Sequence, residues 1–107
     1  MNEEQNTLIG YILEHLPHGS GIDGDWSMDF NEKKQEVSFY NSYHYMDGYG
    51  YYRRWIDFKV RISLKHIDNF YLSFRGPSSD YWYINGYGIR EYLNDTIRFS
   101  LEEAGLI

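Results

Sequence analysis

The stretch Trp55-Ile-Asp-Phe-Lys-Val-Arg-Ile-Ser-Leu64 decides the fold, because apolar and polar residues alternate without interruption from Ile56 onward. Successive side chains of a β-strand point to opposite faces of the sheet. Ile56, Phe58 and Val60 therefore share one face with the apolar residues that follow, and the charged residues share the other. This alternation is typical of an antiparallel sheet with one buried and one solvated face.

Three further segments show the same period of two and are predicted to be strands: residues 26–30, 37–46 and 70–75. The polar run Asn31–Gln35 separates the first two of these strands. The segment Asp47-Gly-Tyr-Gly50 supplies residues that favour a tight turn before the Trp55 strand. Four consecutive strands with short connections indicate an antiparallel meander.

A helical spacing of apolar residues occurs at both ends of the chain. Near the start, it includes Leu8, Ile9, Ile12, Leu13 and Leu16. Pro17 and the glycines after it end this first helix, and close packing is the expected reason for Gly10 inside it. The second helix is predicted from Ile89 to Ala104, with Gly105 as its stop signal. The segment Tyr81–Gly88 fits neither pattern.

The predicted fold class is therefore α+β: a helix, a four-stranded antiparallel β-meander and a second helix. Because only one face of the sheet is apolar, both helices are expected on that face, in two layers. The length of 107 residues fits a single domain over residues 1–107.

The composition excludes several classes of protein. The chain contains no cysteine, which excludes a disulfide framework, a thiol nucleophile and a zinc site with cysteine ligands. The first residues lack the basic region of a signal peptide, and no apolar run is long enough for a transmembrane helix. We therefore predict a cytoplasmic protein without membrane contact.

The net charge of −6 is unevenly distributed. Residues 1–32 carry seven acids and no Lys or Arg, residues 33–75 carry eight bases against four acids, and residues 76–107 carry five acids against two bases. Acidic helices on one side and basic strand residues on the other predict a two-faced molecule. Direct binding of nucleic acid is unlikely with this net charge.

Eight aromatic residues fall within the seventeen positions from Phe39 to Trp55. Phe39, Tyr43 and Tyr45 lie on the core side of their predicted strand. Tyr49, Tyr51 and Tyr52 lie at or beside the glycine turn, where tyrosine beside arginine is typical of recognition surfaces. We predict a partner-binding site that comprises Asp47, Tyr49, Tyr51, Tyr52, Arg53 and Arg54.

The acidic loop Asp23-Gly-Asp25-Trp-Ser-Met-Asp29 resembles a calcium-binding loop, but two of its positions do not carry the residues that such a loop requires. Met28 stands where the loop needs glycine, and Lys34 stands where it needs a bidentate glutamate. No metal site and no cofactor is predicted. An alternative hypothesis, a small-ligand site or minor enzyme, uses the region of Asp23, Asp25 and His44.

The last helix carries a second candidate surface. Its acidic residues are Glu91, Asp95, Glu102 and Glu103. Such residues commonly form a solvated helix face. They could also form a decoy surface, which would occupy the nucleic-acid-binding cleft of a partner protein.

Three segments together resemble a group of small proteins from bacteriophages and other mobile elements. They are Leu16-Pro-His-Gly-Ser-Gly-Ile-Asp-Gly-Asp-Trp26, His44-Tyr-Met-Asp-Gly-Tyr-Gly-Tyr-Tyr-Arg-Arg-Trp55 and Ile89-Arg-Glu-Tyr-Leu-Asn-Asp-Thr-Ile97. The group shares a Gly-Ser-Gly-hydrophobic-Asp loop, a turn rich in Tyr and Gly, and an acidic C-terminal helix. The resemblance implies an accessory protein that acts on the bacterial host, and it supplies no functional residues.

The expected function is that of a non-enzymatic protein-binding module. The resemblance suggests a host partner, such as a nucleic-acid-acting defence protein of the CRISPR type, which the module would inhibit or modulate. Two alternatives stay open besides the decoy surface. One is the small-ligand site or enzyme described above, and the other is a structural homo-oligomer, such as a homodimer, that buries the outer aromatic residues of the sheet.

Overall fold

The computed structural model describes residues 2–19, 21–46, 53–75, 83–84 and 87–107. Its elements in chain order are α1 (Glu3–His15), β1 (Ser27–Asn31), β2 (Glu36–Met46), β3 (Arg53–Ser63), β4 (Tyr71–Arg75), β5 (Tyr83–Ile84), β6 (Tyr87–Gly88) and α2 (Ile89–Glu103). The predicted order of helix, four strands and helix is confirmed. The segment that fitted neither pattern contains the small antiparallel pair β5–β6.

The main sheet has the strand order β1-β2-β3-β4, and every neighbouring pair is antiparallel. The predicted meander is therefore confirmed. Its centre is the long β2–β3 pair, in which Val37 lies opposite Ile62 and Phe39 lies opposite Val60. All four of these side chains are fully buried. The alternation in the sequence thus becomes one continuous apolar face across the two central strands.

Both helices contribute to the cluster that covers this apolar face. Ile12 of α1 and Ile97 of α2 are fully buried together with the inner residues of β2, β3 and β4. The two helices also contact each other, and the Tyr11 hydroxyl of α1 donates to the Ala104 carbonyl at the end of α2, at 2.8 Å. The described elements form two layers, with both helices packed on one face of the sheet and exposed side chains such as Tyr40 and Tyr71 on the opposite face. We call these the inner and outer faces of the sheet.

The ends of the helices follow the sequence signals. The Asn2 side chain accepts from the Gln5 backbone N–H while the Gln5 side chain accepts from the Asn2 N–H, which forms a capping box at the start of α1. At the end of α2, Gly105 has φ +75°, and the Leu106 N–H donates to the Leu101 carbonyl at 3.0 Å. This closure confirms Gly105 as the stop signal, since a left-handed residue there favours glycine.

The expectation for Gly10 is wrong. A Cβ atom built on Gly10 meets no heavy atom within 4 Å, and the residue is exposed on α1. Close packing therefore does not require a glycine at this position.

Candidate binding surface

The loop at residues 21–25 is fastened to β2 beyond the point where β1 begins. The His44 N–H donates to the Gly21 carbonyl at 2.8 Å, and the Asp23 N–H donates to the Ser42 carbonyl at 3.0 Å. Ile22 and Tyr43 form an isolated antiparallel bridge between these two bonds. The loop therefore continues the edge of the sheet and carries Asp23 along β2.

Gly21 makes this close approach possible. Its φ is +98°, a backbone conformation that residues other than glycine rarely adopt. A Cβ atom there would lie 2.6 Å from the Tyr43 ring and 2.8 Å from the His44 carbonyl oxygen. The glycine of the sequence motif at residues 19–21 thus has a structural role in holding the loop against the sheet.

Trp26 anchors the other end of the loop. Its indole N–H donates to the Pro17 carbonyl at 3.1 Å, and its ring meets Phe58 edge to face with 5.4 Å between ring centroids. The side chain is buried against the core. Because the loop is held at both ends, its carboxylates are presented at a defined place beside the sheet.

The loop brings Asp23 close to His44, as the small-ligand hypothesis requires. The distance from His44 Nδ1 to Asp23 Oδ2 is 3.7 Å, which is too long for a hydrogen bond. The Asp23 side chain is 62% exposed and that of His44 is 23% exposed. A general acid–base pair works through a hydrogen bond, which this separation does not provide.

A groove of about 730 Å³ crosses β2, β3 and β4 beside this loop. Its polar lining comprises Asp23, Asp25, Ser27, Tyr40, Asn41, Ser42, Asp57, Lys59 and Ser73. The Ser42 hydroxyl donates to the Asp57 carboxylate across the β2–β3 pair. The structure thus brings Asp23 and Asp25 together with a tyrosine, while His44 is not part of the lining. Within the described ranges, no three Asp, Glu or His side chains converge as metal ligands.

The outer face of the sheet carries three exposed aromatic side chains. Tyr40 of β2 is 40% exposed, Trp55 of β3 is 56% exposed and Tyr71 of β4 is 54% exposed. Each of the three is next in sequence to a buried residue: Phe39, Ile56 and Leu72, respectively. Tyrosine and tryptophan are the residue types most enriched among the dominant contacts of protein interfaces. We call Tyr40, Trp55 and Tyr71 the outer aromatic patch.

Two cations lie against this patch. The Lys59 ammonium is 5.9 Å from the centre of the Tyr40 ring, and the Arg61 guanidinium is 4.6 Å from the centre of the Tyr71 ring. Two of the predicted basic residues, Lys59 and Arg61, thus lie on the outer face, and Asp57 is exposed on the same face. The outer face is therefore mixed in charge and not purely basic.

The predicted partner-binding turn lies mainly outside the described residues. This applies to Asp47, Tyr49, Tyr51 and Tyr52. Arg53 and Arg54 begin β3, opposite Met46 and Tyr45 of β2. The turn site stays a prediction. Outer aromatic residues of the sheet were predicted only as the contact of a homo-oligomer. Tyr40, Trp55 and Tyr71 were not predicted as a partner-binding site, although the outward positions of Tyr40 and Tyr71 in their strands could have indicated it.

The acidic residues of α2 are exposed, as expected for a solvated helix face. They are Glu91, Asp95, Glu102 and Glu103. The two arginines of α2 lie over phenylalanine rings of the sheet layer: Arg90 is 4.6 Å from the Phe74 centroid and Arg98 is 5.0 Å from the Phe70 centroid. The role of this surface as a decoy stays a prediction.

No described helix combines the length and the apolar character needed to cross a membrane. Comparison with models of protein families, with curated proteins and with solved structures found no match. The resemblance to small proteins of phages and mobile elements therefore stays a prediction.

Proposed function

We propose that this chain is a non-enzymatic protein-binding module whose partner docks on the outer face of the sheet. One observation carries the proposal: the helices pack on the inner face, and Tyr40, Trp55 and Tyr71 are exposed on the outer face. Large rigid rings provide contact area at a small cost in side-chain entropy. The loop at residues 21–25, with the carboxylates of Asp23 and Asp25, borders the same surface. A partner could therefore make aromatic and charged contacts together.

The proposed partner is a host protein that acts on nucleic acid, such as a defence protein of the CRISPR type, which the module inhibits or modulates. The resemblance to mobile-element proteins supports a host partner. The exposed carboxylates of Asp23 and Asp25, in the loop beside the outer face, support a partner with a basic surface, since complementary charge accelerates association and gives specificity.

The test is recovery of partners from host lysate with matched surface variants. Trp55→Ala and Tyr71→Ala remove rings from the outer face, whereas Phe99→Ala removes a 60% exposed ring from α2. We expect the partner to be lost with the first two variants and retained with the third. A Tyr49/Tyr51/Tyr52→Ala variant tests the predicted turn in the same experiment. Full recovery with both Trp55→Ala and Tyr71→Ala would contradict the proposal.

The groove supports a second candidate function, binding of a small ligand. The convergence of Asp23, Asp25 and Tyr40 on a groove of about 730 Å³ favours it, because this volume is typical of ligand sites. A thermal-shift screen with small organic cations tests this function. A rise in the melting temperature that Asp25→Asn abolishes would support it, and an unchanged melting temperature for every compound would argue against it.

Self-association is the third candidate, because a second copy could cover the outer aromatic patch. Light scattering at high protein concentration distinguishes it from the other two. A dimer that Trp55→Ala converts to a monomer would support a homo-oligomer, and a monomer at every concentration would remove this candidate.

A further inference from the structure

Six neighbouring side chains on the outer face can all donate hydrogen bonds, and none of them is acidic. Strand pairing places them in two adjacent rows across β2, β3 and β4: Ser38, Arg61 and Tyr71 in one row, and Tyr40, Lys59 and Ser73 in the other. Residues that pair across strands, or that are two apart along one strand, share a face of the sheet. Each row thus has a cation on β3 between a tyrosine and a serine. We call these six residues the donor patch.

Both cations of the donor patch are half-buried, and each lies against a tyrosine ring. The Arg61 guanidinium is 4.6 Å from the centre of the Tyr71 ring, and the Lys59 ammonium is 5.9 Å from that of Tyr40. Within the described residues, neither cation has an ion-pair partner. The Nε atom of Arg61 is buried and has no hydrogen-bond partner. Buried donors in proteins are nearly always paired, so this one indicates an acceptor that comes from another molecule.

Acidic residues border the donor patch. Asp29 of β1 is opposite Ser38, and Glu36 and Asp57 are each two residues along a strand from the patch. Arg75 is opposite Asp57 and belongs to the same border. The two positive charges of the patch are therefore enclosed by a border with more acids than bases. A compact anion fits this arrangement, whereas the border carboxylates would repel a chain of phosphates such as nucleic acid.

We propose that the donor patch receives the carboxylate of a glutamate or aspartate side chain of the partner protein, an inference that rests on the proposed function. Residues two apart on a strand are separated by about 7 Å. One carboxylate can therefore lie between Lys59 and Arg61 and accept hydrogen bonds from both. Arginine matches a carboxylate with two parallel hydrogen bonds.

The groove connects this site with the loop at residues 21–25, since Tyr40, Lys59 and Ser73 line it together with Asp23 and Asp25. The acidic side chain of the partner is thus an addition to the basic surface proposed for the loop side. Because the cations already lie against rings, little side-chain freedom remains to be lost on binding. Lys59 and Arg61 would then determine where along the groove the partner docks.

The test is an NMR titration of isotope-labelled protein with an end-blocked peptide that has one glutamate among glycine and serine residues. In the matched peptide, glutamine replaces the glutamate and removes only its charge. The protein variants are Lys59→Gln/Arg61→Gln in the patch and Lys33→Gln/Lys34→Gln in the exposed turn between β1 and β2. Both variants change the net charge equally. Circular dichroism confirms the fold of each.

We expect the glutamate peptide to shift the amide signals of residues 38–40, 59–61 and 71–73. The patch variant should bind it at least about tenfold more weakly than the wild type, because charge pairs at interfaces have effects of this size. The turn variant should bind like the wild type. Equal affinity of the patch variant, or equal affinity for the glutamine peptide, would overturn the inference.

A third peptide, with phosphoserine in place of the glutamate, tests the choice of a carboxylate. Tighter binding of the phosphoserine peptide than of the glutamate peptide would overturn that choice. We expect weaker binding, because a phosphate brings more negative charge toward the border carboxylates.

Recovery of partners from host lysate separates this inference from the proposed function. If Trp55→Ala and Tyr71→Ala lose the partner while Lys59→Gln/Arg61→Gln retains it, the proposed function stands and this inference fails. If all these variants retain the partner while the glutamate peptide binds as expected, the carboxylate site stands and the proposed function fails.

Discussion

The two faces of the sheet are built from the same strands and have opposite roles. Along β2, Phe39 is fully buried beneath the helices, while its neighbour Tyr40 is 40% exposed on the outer face. Along β3, Val60 is fully buried and Trp55 is 56% exposed. The residues of the inner face form the core, whereas those of the outer face form the proposed binding surface. A substitution should therefore affect either stability or binding, according to its position in the alternation.

The adjacent pair Phe39 and Tyr40 gives the sharpest test of this division. We expect Phe39→Ala to lower the free energy of unfolding by about 3–5 kcal/mol, because it removes a fully buried ring from the core. Tyr40→Ala should cost no more than about 1 kcal/mol, the value of an exposed cation–π contact such as that with Lys59. Urea denaturation of both variants measures the difference. Equal losses would contradict the assignment of the two faces.

Substitution of Gly21 tests whether the loop at residues 21–25, which borders the outer face, is held against β2. Gly21→Ala should lower the free energy of unfolding by about 2–3 kcal/mol, because φ is +98° and the new Cβ would clash with Tyr43 and with the His44 carbonyl. Gly19→Ala is the matched control. Its φ is +74° but it has open space, so we expect a loss of about 1 kcal/mol. Thermal and urea denaturation give both values, and a harmless Gly21→Ala would show that the loop is not held as described.

Gly10 lies in α1, and a side chain at this position would meet open space. Gly10→Ala should raise the free energy of unfolding by about 0.5–1 kcal/mol, since alanine favours the helix and the added Cβ meets no atom within 4 Å. An increase in the melting temperature would be the direct readout. A decrease would show that this side of α1 is covered by another part of the chain.

Trp55 should show the smallest effect on stability. Trp55→Ser changes an exposed position, so we expect the free energy of unfolding to change by less than about 0.5 kcal/mol. The same variant should lose the partner. A large loss of stability would mean that Trp55 belongs to the fold and not to the binding surface.

The alternation and the helical spacing were sufficient to predict the fold. These patterns predicted the antiparallel meander, both helices and the inward positions of Phe39 and Tyr43. The pair β5–β6 was missed because two strands of two residues each show no periodicity. These patterns depend on local sequence, and they succeed where burial on one face determines the structure.

The candidate surface was harder to predict, because it depends on contacts that are distant in sequence. Asp23 and Asp25 line the groove with Asp57 only because Gly21 packs against Tyr43 and Trp26 packs against Phe58. No spacing rule connects those residues. The outer aromatic patch is different, since its positions follow directly from the alternation. The prediction selected the turn within the dense aromatic run as the binding site, although Tyr40 and Trp55 of the same run lie on the outer face.

The bonds between the Gly21 loop and β2 have a further consequence, for aggregation. β1 pairs with β2 only as far as Tyr40, so without the loop the rest of that edge would present unpaired backbone groups. Such an edge is a template for pairing with another chain. The bonds from His44 to Gly21 and from Asp23 to Ser42 close it. The loop that presents the carboxylates thus also protects the sheet from edge-to-edge assembly in a crowded cell.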